Sequence, residues 1–173
     1  MDTILQNKII RLLCIKANEK LNQREIAKIL KVSPTAVAKA LKGIKNIIKI
    51  EKQYKINLNL VSLDRDNTKT IELKRAENLK QIYESNLLEY LHENFPGTDI
   101  VLFGSYSRGE DIYTSDIDIA IIGAKNKKLD LKKYEKQLER KINVNMYIDI
   151  KSIDNNIINN IINGITLKGA IDI

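Results

Sequence analysis

Between residues 101 and 122 the chain reads VLFGSYSRGEDIYTSDIDIAII, where Asp116 and Asp118 interrupt an otherwise apolar run. Successive side chains of a strand point to opposite faces, so the two carboxylates share one face while Ile117 and Ile119 turn into the core. At roughly 7 Å along the strand they repel each other unless a cation lies between them, and a divalent metal with oxygen ligands is the natural candidate. Just upstream, Phe103 closes a first apolar strand, and Gly104 and Ser105 open a short helix. Such a turn offers backbone N–H groups and a helix dipole to phosphate oxygens. Gly104 permits close approach, Ser105 adds a hydroxyl, and Arg108, one turn on, is placed to neutralise outer phosphates. A phosphate cradle facing a carboxylate pair outlines a site for Mg2+ or Mn2+ with a nucleoside triphosphate.

The elements that must carry these residues follow from periodicity. Strands at 99–103, 117–122 and 142–150 alternate with helices from 105, at 130–141 and at 153–163, which indicates a sheet with helices on one or both faces. Before them, Leu79, Ile82, Tyr83, Leu87, Leu88 and Leu91 fit one stripe of a single long helix over 70–94, ended by Pro96 and Gly97. In the strand INVNMYIDI, Asn143, Asn145, Tyr147 and Asp149 share the polar face.

Charge divides the chain. Residues 1–63 hold thirteen lysines and arginines against four acids, a net of +9, whereas residues 64–173 hold sixteen against eighteen. That asymmetry suits a nucleic-acid-binding module joined to a different one. A first amphipathic helix spans 3–17, Asn22 with Glu25 reads as a capping box for a second, and Ser33 with Pro34 starts a third that Gly43 ends. A three-residue turn, Lys31 to Ser33, separates the last two. Strands at 47–50 and 55–61 then form a hairpin around a polar turn.

Residues 1–63 thereby resemble a winged helix-turn-helix DNA-binding domain. The resemblance implies that Thr35, Ala36 and Lys39 face the major groove, while Lys42, Lys49, Lys52 and Lys55 touch phosphates. Winged helices also serve as protein docking surfaces, and lysines also keep a small domain in solution.

Gly104-Ser105, ten intervening residues and Asp116-Ile117-Asp118 match the signature of the DNA polymerase β-like nucleotidyltransferase superfamily in its minimal branch, over about residues 78–168. The resemblance implies an α+β fold, with a mixed-sheet palm and packed helices following the winged helix. It implies two Mg2+ ions held by Asp116 and Asp118, a triphosphate held by Gly104 and Ser105, and nucleotidyl transfer to a hydroxyl with release of pyrophosphate. A third carboxylate is expected on the next strand. Judged from the distance to the following helix and Gly164, that position falls on Asn145, with Asp149 on the same face roughly 13 Å further along.

The expected organisation is therefore a nucleic-acid-binding domain at 1–63, a connecting helix at 64–97 and a nucleotidyltransferase domain at 98–173, with the helix from about residue 78 packed on it. The acceptor would be a protein or nucleic-acid hydroxyl, and the donor an NTP such as ATP. A HEPN-type toxin is a partner by family analogy, and a homodimer would suit paired DNA half-sites. The competing reading is a DNA-binding regulator whose degenerate palm senses nucleotide or mediates assembly. The lone Cys14 reads as core and the lone His92 as a solvated helix position, which excludes a disulfide framework and a zinc site. With no apolar run near ~18 residues and charges at Asp2, Lys8 and Arg11, the expected location is cytoplasmic, with no membrane partner.

Overall fold

In the computed structural model, which describes residues 3–53 and 58–171, the first helices begin where capping side chains stand. After α1 (Thr3–Ile15) and a two-residue strand β1 (Leu21–Asn22), α2 (Gln23–Leu30) starts at Asn22. The Asn22 side chain accepts from the Arg24 and Glu25 amides, at 2.9 and 3.0 Å, and Glu25 returns to the Asn22 N–H at 2.7 Å. Lys31 closes α2 in a left-handed conformation, φ 54. Ser33 caps α3 (Pro34–Leu41) through the Ala36 amide. The helix ends at Leu41, just before Gly43, where the chain tightens into a 3-10 turn at Lys42–Ile44.

Strands β2 (Ile48–Gln53) and β3 (Leu58–Leu63) pair antiparallel, and β1 adds to β3, giving the order β1-β3-β2. Apolar faces of α1, α2 and α3 close on this sheet around Ile9, Leu13, Ile26, Val37 and Val61, each at most 1% exposed. Cys14 lies in the same core.

The chain divides into two compact units, Met1–Lys74 and Arg75–Ile173, and the division falls inside α4 (Thr68–Glu84). The expected single helix over 70–94 is in fact two, α4 and α5 (Leu87–Asn94). Between them Asn86 turns left-handed at φ 59, a conformation asparagine tolerates. The Ser85 hydroxyl donates to the Ile82 carbonyl at 2.7 Å and accepts the Leu87 amide at 3.2 Å, satisfying groups that the break would orphan. His92 is exposed on α5.

In the second unit β4 (Asp99–Phe103), α6 (Gly104–Arg108), β5 (Ile117–Ile122), α7 (Lys132–Leu138), β6 (Ile142–Tyr147), α8 (Asn155–Ile162) and β7 (Ile165–Lys168) follow in order. They build a mixed four-stranded sheet, β6-β5-β4-β7, parallel only between β5 and β6. The whole is α+β. The final strand β7 was not foreseen, its four residues being too short for a periodic signal.

Two layers cover the sheet. On one face Ile100, Leu102, Ile117, Ile119 and Ile121 pack with Ile82, Leu87, Leu91, Tyr134 and Leu138. On the other, Ile153 and Ile161 cover Val101, Phe103, Ala120 and Ile122. This second layer leaves the start of β5 partly open, with Asp116 and Asp118 half-buried. The loop from α6 to β5 is held from beneath: Asn78 Nδ2 donates to the Tyr106 carbonyl at 2.9 Å and to Asp111 Oδ1 at 2.7 Å. Arg140 Nη2 lies 3.6 Å from Asp111 Oδ2, both side chains buried.

Two substitutions, with a surface one for comparison, test this frame. A Cβ on Gly164 would stand 2.6 Å from the Leu102 carbonyl and 2.9 Å from that of Ile161. Gly164→Ala therefore forces backbone apart and should cost roughly 1–3 kcal/mol in urea unfolding. Arg140→Met removes the guanidinium from a buried carboxylate and should cost about 3–5 kcal/mol, whereas Lys80→Met, which breaks the exposed pair with Glu84, should cost under ~1 kcal/mol.

Candidate active site

Asp116 ends the loop that enters β5 and Asp118 is the second residue of that strand, so strand alternation places both on the face opposite Ile117 and Ile119. Register brings the neighbouring strands to the same end. Asp118 pairs with Phe103 at the end of β4 and with Asn143 near the start of β6. The Asn143 amide nitrogen donates 3.1 Å to Asp116 Oδ2 and 3.1 Å to Asp118 Oδ1. With carboxylates on both sides the NH2 end must face them, since a carbonyl oxygen there would be repelled.

Asn143, rather than Asn145 or Asp149, is thus the side chain that the structure brings to the aspartates. Asn145 pairs with Ala120, one pleat beyond, and is exposed. Asp149 lies past the strand, where it caps the 3-10 turn Ile150–Ser152 by accepting the Ser152 amide at 2.8 Å. Spacing back from the following helix and Gly164 points to Asn145. The parallel partners β5 and β6 are instead aligned at their starts, where the Ile117 amide donates to the Lys141 carbonyl at 2.8 Å. Counting the second residue of each strand finds the pair Asp118 and Asn143.

Gly104 begins α6 at φ +75, and a Cβ there would stand 2.6 Å from Asp118 Oδ2. Both facts demand glycine: the backbone conformation disfavours other residues, and the carboxylate occupies the space. Ser105 is half-buried beside it. Ser107, two residues on, is buried and donates to the Gly104 carbonyl at 2.8 Å, which fixes the turn. Arg108 is not turned wholly to a ligand, since its Nε lies 2.8 Å from Glu110 Oε2 on the surface.

An open groove of about 470 Å³ runs beside Asp116, bounded by Tyr113, Thr114, Ser115, Glu139, Arg140 and Lys141. Further along β6, burial, with Asp154 nearby, pushes the Tyr147 phenol above its ordinary range, so it stays neutral at physiological pH.

As a metal site the carboxylate pair fits one oxygen-preferring cation. Asp116 Oδ2 and Asp118 Oδ1 are turned to the Asn143 nitrogen, which leaves the second oxygen of each carboxylate, Asp118 Oδ2 on the Gly104 side, for the ion. Among the described residues no group of three or more Asp, Glu, His or Cys side chains could hold a metal. Magnesium is commonly held by one or two carboxylates, with substrate phosphates and water completing its shell, so two acids suffice for one ion.

In the first unit, Thr35, Lys39, Lys42 and Lys52 are exposed, but Ala36 is half-buried and packs on the core. Lys49 is engaged: its ammonium lies 3.2 Å from Asp64 Oδ1 and pairs with Asp66 as well. These contacts raise the Lys49 pKa and lower that of Asp66. Lys55 lies outside the described residues.

Among the described residues no helix is long and apolar enough to cross a membrane. No solved structure matches the chain significantly. Over 47 residues, 27% of its length, the chain is 40% identical to a protein adenylyltransferase MntA of Shewanella oneidensis, and the match spans about a third of that protein, 34%. Residues 84–166 match the family model described as Nucleotidyltransferase domain. Gly104, Ser105, Asp116, Asp118 and Asn143 all fall inside that stretch, which is similar to a nucleotidyltransferase domain, and the structure brings them together at one end of the second unit's sheet.

Proposed function

We propose that the second unit binds a nucleoside triphosphate with a divalent cation at Asp116 and Asp118 and transfers its nucleotidyl group to a hydroxyl, while the first unit is a winged helix that binds DNA. The observation carrying the transferase reading is the meeting of a glycine-favouring turn with a carboxylate pair, Asp118 Oδ2 lying 2.6 Å from where a Gly104 Cβ would be. The Gly104 turn and Ser105 would receive the phosphates. A bound cation would neutralise phosphate charge and make the α-phosphorus more electrophilic. In the transfer, the acceptor hydroxyl oxygen forms a bond to the α-phosphorus as the bond to the bridging oxygen breaks. Pyrophosphate leaves, and the hydroxyl proton passes to solvent, for which the groove beside Asp116 is open. The partial likeness to a protein adenylyltransferase favours ATP as donor and a protein hydroxyl as acceptor.

For the first unit the support is the order helix, strand, helix, helix, hairpin together with exposed Lys39, Lys42 and Lys52 and a net of +9 over residues 1–63. A second reading, a DNA-binding regulator that senses nucleotide without turnover, is favoured by one observation: the position facing both aspartates is the amide Asn143, which accepts no proton as a base would.

Labelled ATP with Mg2+ or Mn2+ tests the transferase reading. Label should appear on protein or nucleic acid and fall to background in Asp116→Ala and Asp118→Ala. Tight nucleotide binding with no label on any acceptor selects the sensor. Gly104→Ala should abolish nucleotide binding while leaving the first unit's circular dichroism unchanged, because the added methyl meets the Asp118 carboxylate. On DNA, Lys39→Ala or Lys52→Ala should each lower the salt slope by ~1, whereas Lys49→Ala should change it less, its charge already being paired with Asp64 and Asp66. Affinity independent of salt would rule out phosphate contacts.

A further inference from the structure

The second amide-to-carboxylate contact at the site has a consequence for stoichiometry. Polymerase-type phosphoryl transfer commonly employs two cations about 3.5–4 Å apart, a clamp whose combined charge calls for more than two carboxylates. Here the described residues provide two acids, Asp116 and Asp118, and the third side chain at that end of the sheet is the neutral Asn143. Both of its amide hydrogens are used, one on each aspartate, at 3.1 Å. An NH2 group placed so takes one oxygen of each carboxylate and puts partial positive charge where a bridging cation would put its full charge.

We propose that the Asn143 amide takes the place of the second cation, so that this site holds a single divalent ion per bound nucleotide. The inference rests on the proposed nucleotide site and deepens it. A carboxylate at residue 143 would add negative charge and lone pairs at the same point, and the amide offers neither on the side that faces Asp116 and Asp118. The ion that remains serves the triphosphate. The acceptor hydroxyl then meets no cation of its own, so its proton leaves unassisted and transfer is slowed more than binding. Asn143 is on this account the residue that sets the balance between holding a nucleotide and turning it over, and it does so through charge, its side chain being nearly the same size as that of aspartate.

Manganese titration of the full chain with an ATP analogue bearing a methylene bridge between the α- and β-phosphorus tests this, since free Mn2+ is counted by electron paramagnetic resonance without any turnover. Wild type should bind one Mn2+ per chain with the analogue, Asn143→Asp should bind two, and Asn143→Ala, which removes the donor without adding an acid, should stay at one. Circular dichroism of the three proteins establishes that each is folded. In the same preparations with labelled ATP, Asn143→Asp should raise the rate of label transfer relative to Asn143→Ala. Two Mn2+ in wild type, or one in folded Asn143→Asp, overturns the inference while leaving the nucleotide site standing. Absence of both Mn2+ and analogue from wild type overturns the proposed site itself.

Discussion

Two like charges on one strand face, held close to a neutral amide, constrain the rest of the second unit. Asp116 and Asp118 share a face because a strand alternates, and Asn143 meets them because β6 runs parallel to β5 from a common start. Their mutual repulsion is met by donors: the Asn143 amide bridges them without bearing charge. Residues from the other elements are shaped around this group. Gly104 suits its place because its φ of +75 favours glycine and a Cβ there would stand only 2.6 Å from Asp118 Oδ2. Beyond the first pleat the same face returns to apolar packing, Ala120 and Ile122 under Ile153 and Ile161, so polar character is confined to one end of the sheet.

A site at a strand end depends on what fixes the loops beside it. Residues 109–116 carry the chain from α6 to β5, and a buried carboxylate rather than an apolar plug anchors them. Asp111 is fully buried, with Asn78 from α4 and Arg140 from the turn before β6 reaching it. An ion pair in the interior adds little net stability over a well-packed apolar alternative, but loss of one partner is costly. Its geometric effect is to tie the α6–β5 loop to the α7–β6 turn, the two segments that border the groove beside Asp116. The same division of labour appears in the first unit, where Lys49 draws Asp64 and Asp66 together on the surface. There Lys49 and Asp66 are exposed and Asp64 only half-buried, so the pairing orders a turn more than it stabilises the fold.

Much of this is legible in the sequence, for identifiable reasons. The boundaries 99–103 and 117–122 could be read because both strands are buried on two faces over most of their length and form apolar runs, broken only by Asp99 and Asp118, that end at Gly104 and begin after Asp116. Asn22 with Glu25 and Ser33 with Pro34 announce helix starts through local hydrogen bonds, which need no tertiary context. The break at Asn86 was hidden because the apolar stripe continues across it, and only the Ser85 hydroxyl reveals how the chain tolerates the turn. Strand β7 was hidden by its length. The third position of the site was displaced by one pleat because register between parallel strands is a tertiary property. Alternation assigns all four polar residues of INVNMYID to one face, so it could not by itself choose among Asn143, Asn145 and Asp149.

The choice of asparagine at residue 143 bears on stability as well as chemistry. A cluster of three carboxylates at a sheet end would repel in the absence of cation, and its folded state would lean on bound metal. Replacing one acid with an amide turns the closest unfavourable pair into two hydrogen bonds, at 3.1 Å each, available whether or not an ion is present. Active sites generally hold electrostatic strain that the remaining fold offsets, and relieving it commonly costs activity. Asn143 relieves that strain with a change of one charge and almost no change of shape. A site so relaxed keeps its form while empty, in keeping with the proposal that Asn143 favours holding a nucleotide over turning it over.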